Sequence, residues 1–253
     1  MKLTPFKSLC LMLTSTAFAT HAAINLDRTR IVFPESDKAS SLKVDNQSKV
    51  LPYLALSWIE DEKGQKEDTH FMALPPIQRI EAGTSSQIRI VKQAATRQLP
   101  GDRESLFYFN LSEVPPKNTS ASEERSVMQV AMQSRIKLFW RPEAISKKSG
   151  ELTEMRMEIS ANADGLTVHN PTPYYITLAW LSKNAKTMLP GFDSLMIAPF
   201  ATATASTGDY HGSYYSIGYI DDYGALKKVD VQCTGTAQCK LTERKIDKDA
   251  KAR

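Results

Sequence analysis

Three apolar side chains at alternate positions, Met128, Val130 and Met132, precede two cations, Lys137 and Arg141, in the run SVMQVAMQSRIKLFWR from Ser126 to Arg141. Strand side chains alternate sides, so this spacing puts the three apolar groups on one side and Gln129 and Gln133 on the other; a helix would scatter them. The run reads as one long strand ending at Pro142, with an exposed apolar stripe at one end and a cationic anchor further along. Unpaired N–H and C=O groups beside apolar side chains invite a second chain to pair. The chemistry on offer is therefore non-covalent: strand addition along an edge, with positive charge to hold the added chain.

Other reactive residues are few. Of three cysteines, Cys10 lies in the leader described below, which leaves Cys233 and Cys239 in CTGTAQC. An even pair in an exported chain reads as a disulfide across a tight hairpin. The alternative, two ligands of a zinc site, lacks a histidine among His70, His169 and His211 spaced to complete it. The chain contains no G-x-S-x-G, H-E-x-x-H, P-loop or G-x-G-x-x-G run, so no enzyme and no cofactor is expected. The formal charge of +4 falls to 30 basic against 28 acidic residues once Lys2 and Lys7 are removed with the leader. That balance argues against a nucleic-acid partner.

The elements that must carry the long strand are also extended. Residues 1–22 combine two lysines, an apolar run from Leu9 to Leu13 and small residues, the layout of a secretory signal cleaved after Ala22 or Ala19. No later segment is apolar enough to predict membrane insertion. The segment from Ala23 to Gln47 reads as strand, turn, strand; Leu54, Leu56 and Trp58 share one face of the next, and Ile88 and Ile90 alternate around Arg89. Alternation resumes in the second half with Met155, Met157 and Ile159, then Leu166 and Val168, then Tyr174, Ile176, Leu178 and Trp180. Short strands separated by turns predict an all-β chain of β-sandwiches. The polar stretch after Pro142 divides it into 23–142 and 143–244, followed by a basic tail, 245–253.

Six segments carry a family likeness in order along the chain: LDRTRIVF from Leu26, LPYLALSWIE from Leu51, RESLFYFNLSEVPP from Arg103, IKLFWRP from Ile136, NPTPYY from Asn170 and IDDYG from Ile220. They resemble the periplasmic pilus chaperones of the chaperone-usher pathway. The resemblance implies two immunoglobulin-like domains in a boomerang with a cleft between them. It also implies that the chaperone lends its long strand to pilus or fimbrial subunits, each a sandwich missing its last strand, and delivers them to an outer-membrane usher. Arg30 and Lys137 then match the two cleft cations that hold the subunit's terminal carboxylate, and Met128, Val130 and Met132 fill the subunit's groove. Glu104, Arg141 and Asp222 match an ion network between the domains. Lys137 has opposite parity to Met132, so a bulge or the strand's twist is expected to aim it. Self-association of the free chaperone is one way to cover its edge. The competing reading is an exported immunoglobulin-like pilus or adhesin subunit, which calls for one sandwich and an N-terminal donor extension.

Overall fold

The computed structural model describes residues 23–116, 131–235 and 238–244. The first half forms β1 (Ile24–Leu26), β2 (Arg30–Pro34), β3 (Ala39–Asn46), β4 (Tyr53–Glu60), β5 (Lys66–Glu67), β6 (Phe71–Leu74), β7 (Ile77–Ile80), β8 (Ser85–Lys92), β9 (Ser105–Val114) and β10 (Gln133–Arg141). The second half forms β11 (Glu158–Asn162), β12 (Gly165–His169), β13 (Ile176–Ser182), β14 (Leu195–Ile197), β15 (Thr202–Ala205), β16 (Tyr214–Ile220), β17 (Leu226–Gln232) and β18 (Lys240–Glu243). Each half is a two-sheet sandwich. β1-β3-β8-β6 faces β2-β10-β9-β4-β5, with β7 also on β4; β11-β12-β15 faces β14-β13-β16-β17-β18. Each has its own core. Phe33, Leu42, Phe71, Ile88, Ile90, Phe109 and Leu138 fill the first, and Ile159, Val168, Ile176, Leu178, Tyr215, Ile217 and Val231 the second.

The opening segment is not a single strand followed by a turn. β1 pairs antiparallel with β3 in one sheet, the chain crosses at Asp27 to Thr29, and β2 pairs parallel with β10 in the other. On β4 the alternation holds but the larger residues face outward: Ala55, Ser57 and Ile59 are buried, while Leu54 and Trp58 lie on the outer face. Register explains it. Ser57 and Ile59 stand beside Leu111 and Phe109 of β9, so their side points into the sandwich. Two expected strand patterns also break. Thr153–Arg156 is a 3₁₀ turn, so Met155 precedes the strand that Ile159 occupies. A register shift between Leu178 and Trp180 on β13 puts Leu181 in the core and Trp180 outside it. One extra residue reverses the parity of everything after it.

The two sandwiches are joined by ions. Arg141, at the end of β10, donates from Nε to Glu104 Oε1 at 2.9 Å, and from Nη1 and Nη2 to Asp222 at 2.7 and 3.0 Å. The other Glu104 oxygen accepts the Tyr175 N–H at 2.8 Å. Lys147 extends the chain of charges, 3.0 Å from Glu154 and 3.3 Å from Asp222. Asp222 sits in the β16–β17 turn, where Gly224 has φ +85° and a side chain would fall 2.5 Å from Thr29 Oγ1 of the first sandwich. Glycine serves both the left-handed backbone and the close approach.

Burial pushes the Glu104 carboxyl up against the opposing charge of Arg141. At Asp222 burial acts in the same sense, but the Arg141 hydrogen bonds and Lys147 outweigh it and hold the carboxyl below its usual range. Removing the shared cation would strand two carboxylates, one deeply buried. Arg141→Met is expected to lower stability by about 3 to 5 kcal/mol, read as a shift in the urea midpoint. The depressed Asp222 pKa contributes stability that is complete above the unfolded value of about 3.9 and lost as pH falls through the folded one. Urea midpoints of Asp222→Asn should therefore fall less steeply on acidification than those of the parent. Glu104 acts in the reverse sense in both proteins.

Candidate functional site

Arg30 and Lys137 are the first register pair between β2 and β10. Residues opposite one another in a parallel pair share a face, so both cations point to the same side. Arg30 is buried, at 9% exposure, and its Nη1 donates to the Ile220 carbonyl of the second sandwich at 3.2 Å. Its Nε is buried without a hydrogen-bond partner. Lys137 Nζ lies 3.5 Å from Thr177 Oγ1. Among the described residues neither cation makes an ion pair. Burial first, then the neighbouring Arg30, pulls the Lys137 ammonium below the ordinary lysine value. Arg30 is likewise lowered by burial, against the more distant pull of Asp222 and Asp221. Two desolvated cations side by side form a site that gains from an anion with two acceptor oxygens, since charge-assisted hydrogen bonds are the strong ones.

The same pair marks where an edge opens. β10 is bonded to β9 from Gln133 to Trp140, but β2 joins its other edge only from Lys137 onward. Among the described residues no strand pairs with that edge over Gln133 to Ile136. The pairing with β9 is regular, so no bulge aims Lys137. Alternation alone does so: Leu138 and Trp140 are buried in the first core with Ile136 against it, while Phe139, on the Lys137 side, packs on Tyr175 at 5.6 Å. Met132 shares the parity of Ile136 and is 46% exposed. The strand is shorter than expected, beginning at Gln133; Met128 and Val130 lie outside the described residues.

Arg30, Lys137 and Arg141 thus line one outward face, and Glu104 and Asp222 meet Arg141 in the joint beside it. Cys233 and Cys239 are bonded to each other, away from this face, and Cys239 N–H reaches the Ile159 carbonyl at 2.6 Å. The bond removes the zinc alternative. Several neighbours were not singled out in sequence. Arg135, at the open edge, stacks 3.4 Å above the Tyr108 ring and donates to Glu60 at 2.8 Å; Trp58 Nε1 donates to the same carboxylate at 2.9 Å. Gln133 donates to Asn110 at 2.9 Å. These outward side chains are drawn back over their own sheet, which leaves the backbone edge clear. Glu113 was also missed, although an acidic residue at the parity of Phe107, Phe109 and Leu111 is a legible anomaly.

This arrangement has known relatives. Residues 23–146 match the family model of the pili and flagellar-assembly chaperone PapD N-terminal domain, and residues 151–230 that of the pili assembly chaperone PapD C-terminal domain. The fimbrial chaperone YbgP of Escherichia coli K12 is 53% identical over 94% of this chain and 98% of its own length. Chaperone protein PapD of Escherichia coli is 40% identical over 88% of this chain and 92% of its own. The solved periplasmic chaperone SfaE superposes with a TM-score of 0.66 at 31% identity, covering 83% of this chain and 99% of that one. The SafB chaperone structure of Salmonella enterica, which holds the SafA pilin, superposes with a TM-score of 0.70 at 25% identity over 90% and 99%. With both domains matched in order, the chain belongs to the PapD family of pilus-assembly chaperones and has that family's fold of two immunoglobulin-like sandwiches.

Proposed function

We propose that this chaperone works in the periplasm by donor-strand complementation, binding, folding and capping pilus subunits and passing them to an outer-membrane usher. The observation that supports this most is the Arg30–Lys137 pair, without an ion-pair partner among the described residues, at the start of an open strand edge. A subunit's terminal carboxylate bonds to both cations, and its last strand continues the line of β2 along β10. The fixed end sets the register, because a one-residue slip turns every inward side chain outward. Main-chain bonds along the edge supply affinity that does not depend on the subunit's sequence.

Met128, Val130 and Met132 then fill the groove of the incomplete subunit, at about 1.5 to 3 kcal/mol each in gross burial before the costs of association. Methionine suits a chaperone that serves several subunits, since its stem adapts to irregular pockets. Residues 23–142 carry the donor strand, and 143–244 close the far side of the cleft. Binding alone does the work, with no nucleotide or other cofactor. A free edge of this kind is also open to a second copy of the chaperone. A structural pilus subunit is not favoured, as the chain has two sandwiches and its apolar run is internal.

Lys137→Ala and Arg30→Ala should fold as the parent does, while co-expressed subunits are degraded in the periplasm. Normal subunit levels on immunoblots of both variants would remove the anchor. Val130→Asp should weaken subunit capture by more than about 1 kcal/mol through burial of an unpaired charge; unchanged capture would assign the donor role to another strand. A third expectation concerns pH. The anchor needs the ammonium form, so affinity for a carboxylate-ended peptide is complete at neutral pH. It is lost as pH rises through the depressed Lys137 pKa, below the usual value of about 10.4. Lys137→Arg should abolish that alkaline loss in a fluorescence titration.

A further inference from the structure

The nearest candidate to occupy the open edge belongs to the chaperone itself. Extending the β2 register backward along β10 would set Thr29 opposite Ile136, Arg28 opposite Arg135, Asp27 opposite Ser134 and Leu26 opposite Gln133. That segment is tethered to the site, so its effective concentration there is high. It is held elsewhere: Ile24, Asn25 and Leu26 pair with Asn46, Asp45 and Val44 of β3, and the Asp27 N–H reaches the Lys43 carbonyl at 3.1 Å.

At the fork stands Glu113, 5% exposed on the core side of β9. Its Oε2 accepts the Ile24 N–H at 2.7 Å, and its own backbone N–H donates to the Met132 carbonyl at 3.0 Å. One residue therefore holds the competing strand with its side chain and the donor segment with its backbone. Among the described residues its carboxylate makes no ion pair. Packing alone would favour an apolar residue here, because Glu113 shares the face of Leu111, and an uncompensated buried acid is costly. What the carboxylate adds is direction. Its bond exists only while Ile24 lies on β3; transfer of Leu26 to Thr29 onto β10 would leave the acid stranded in the core.

We propose that Glu113 is a positioning residue that keeps the donor edge open by penalising its closure by the chaperone's own first strand. The inference rests on the donor-strand reading above. Two measurements on the full mature chain test it: hydrogen exchange of the Gln133–Ile136 amides that face away from β9, and affinity for a fluorescent peptide of alternating valine and threonine with a free carboxylate. Glu113→Leu should protect those amides and lower affinity about tenfold. Glu113→Gln, which keeps an acceptor oxygen, should match the parent. Removing residues 23–29 from Glu113→Leu should restore both readings, because the competing segment is gone. If Glu113→Leu does not fold, Glu113→Ser, too short to reach Ile24, is read in the same way. Amides that stay exposed with affinity unchanged, or no recovery on removing the strand, would overturn the role of Glu113. A parent that binds no peptide would instead overturn the donor-strand reading.

Discussion

A strand has two edges, and β10 has both satisfied over only half its length. The cause is a division made at the start of the chain. Residues Ile24 to Pro34 serve two sheets, three of them on β3 and five on β10, and the crossover between them, Asp27 to Thr29, lies in neither ladder. Over Gln133 to Ile136 the donors and acceptors of one edge are therefore left without a strand among the described residues. Each main-chain bond an added strand makes there is worth about 1 kcal/mol net. The cations, the cleft and the joint all stand in fixed relation to the point where β2 leaves β10.

Two treatments of buried charge lie four residues apart on that strand. Arg141 has a carboxylate on either side and a charge network around it; Lys137 has only a hydroxyl and another cation near it. The first arrangement is complete. It ties the Glu104 side of one sandwich to the Asp222 turn of the other, and the desolvation of its charges offsets much of their mutual attraction. The second arrangement has no ion-pair partner among the described residues, and burial lowers the pKa of both Lys137 and Arg30. In the proposed complex the subunit's terminal carboxylate supplies the missing charge, so the anchor gains from the desolvation the fold has already imposed.

Around the edge, the outer face of the first sandwich is arranged to stay clear of it. Arg135 and Gln133 are long side chains beside unpaired backbone, yet one lies flat on Tyr108 against Glu60 and the other bonds to Asn110. Small residues on β4 face inward, which leaves Trp58 outside to donate to the same Glu60. Charge held in place along an edge is a general protection against indiscriminate pairing. Here it leaves the backbone accessible while the neighbouring side chains are already engaged.

Much of this was legible in residues read one after another. Alternation marked strands throughout, the paired cysteines marked their bond, and the family segments pointed to Arg30, Lys137, Glu104, Arg141 and Asp222, each a local pattern that needs no partner to be seen. The partition of Ile24 to Pro34 between sheets, the outward turn of Leu54 and Trp58, the shift at Leu178 to Trp180 and the bond from Ile24 to Glu113 were decided only by tertiary structure. The physical reason is common to all four: period two says that side chains alternate but not which side is inside. That choice belongs to the register against neighbouring strands, contacts made by residues tens of positions away.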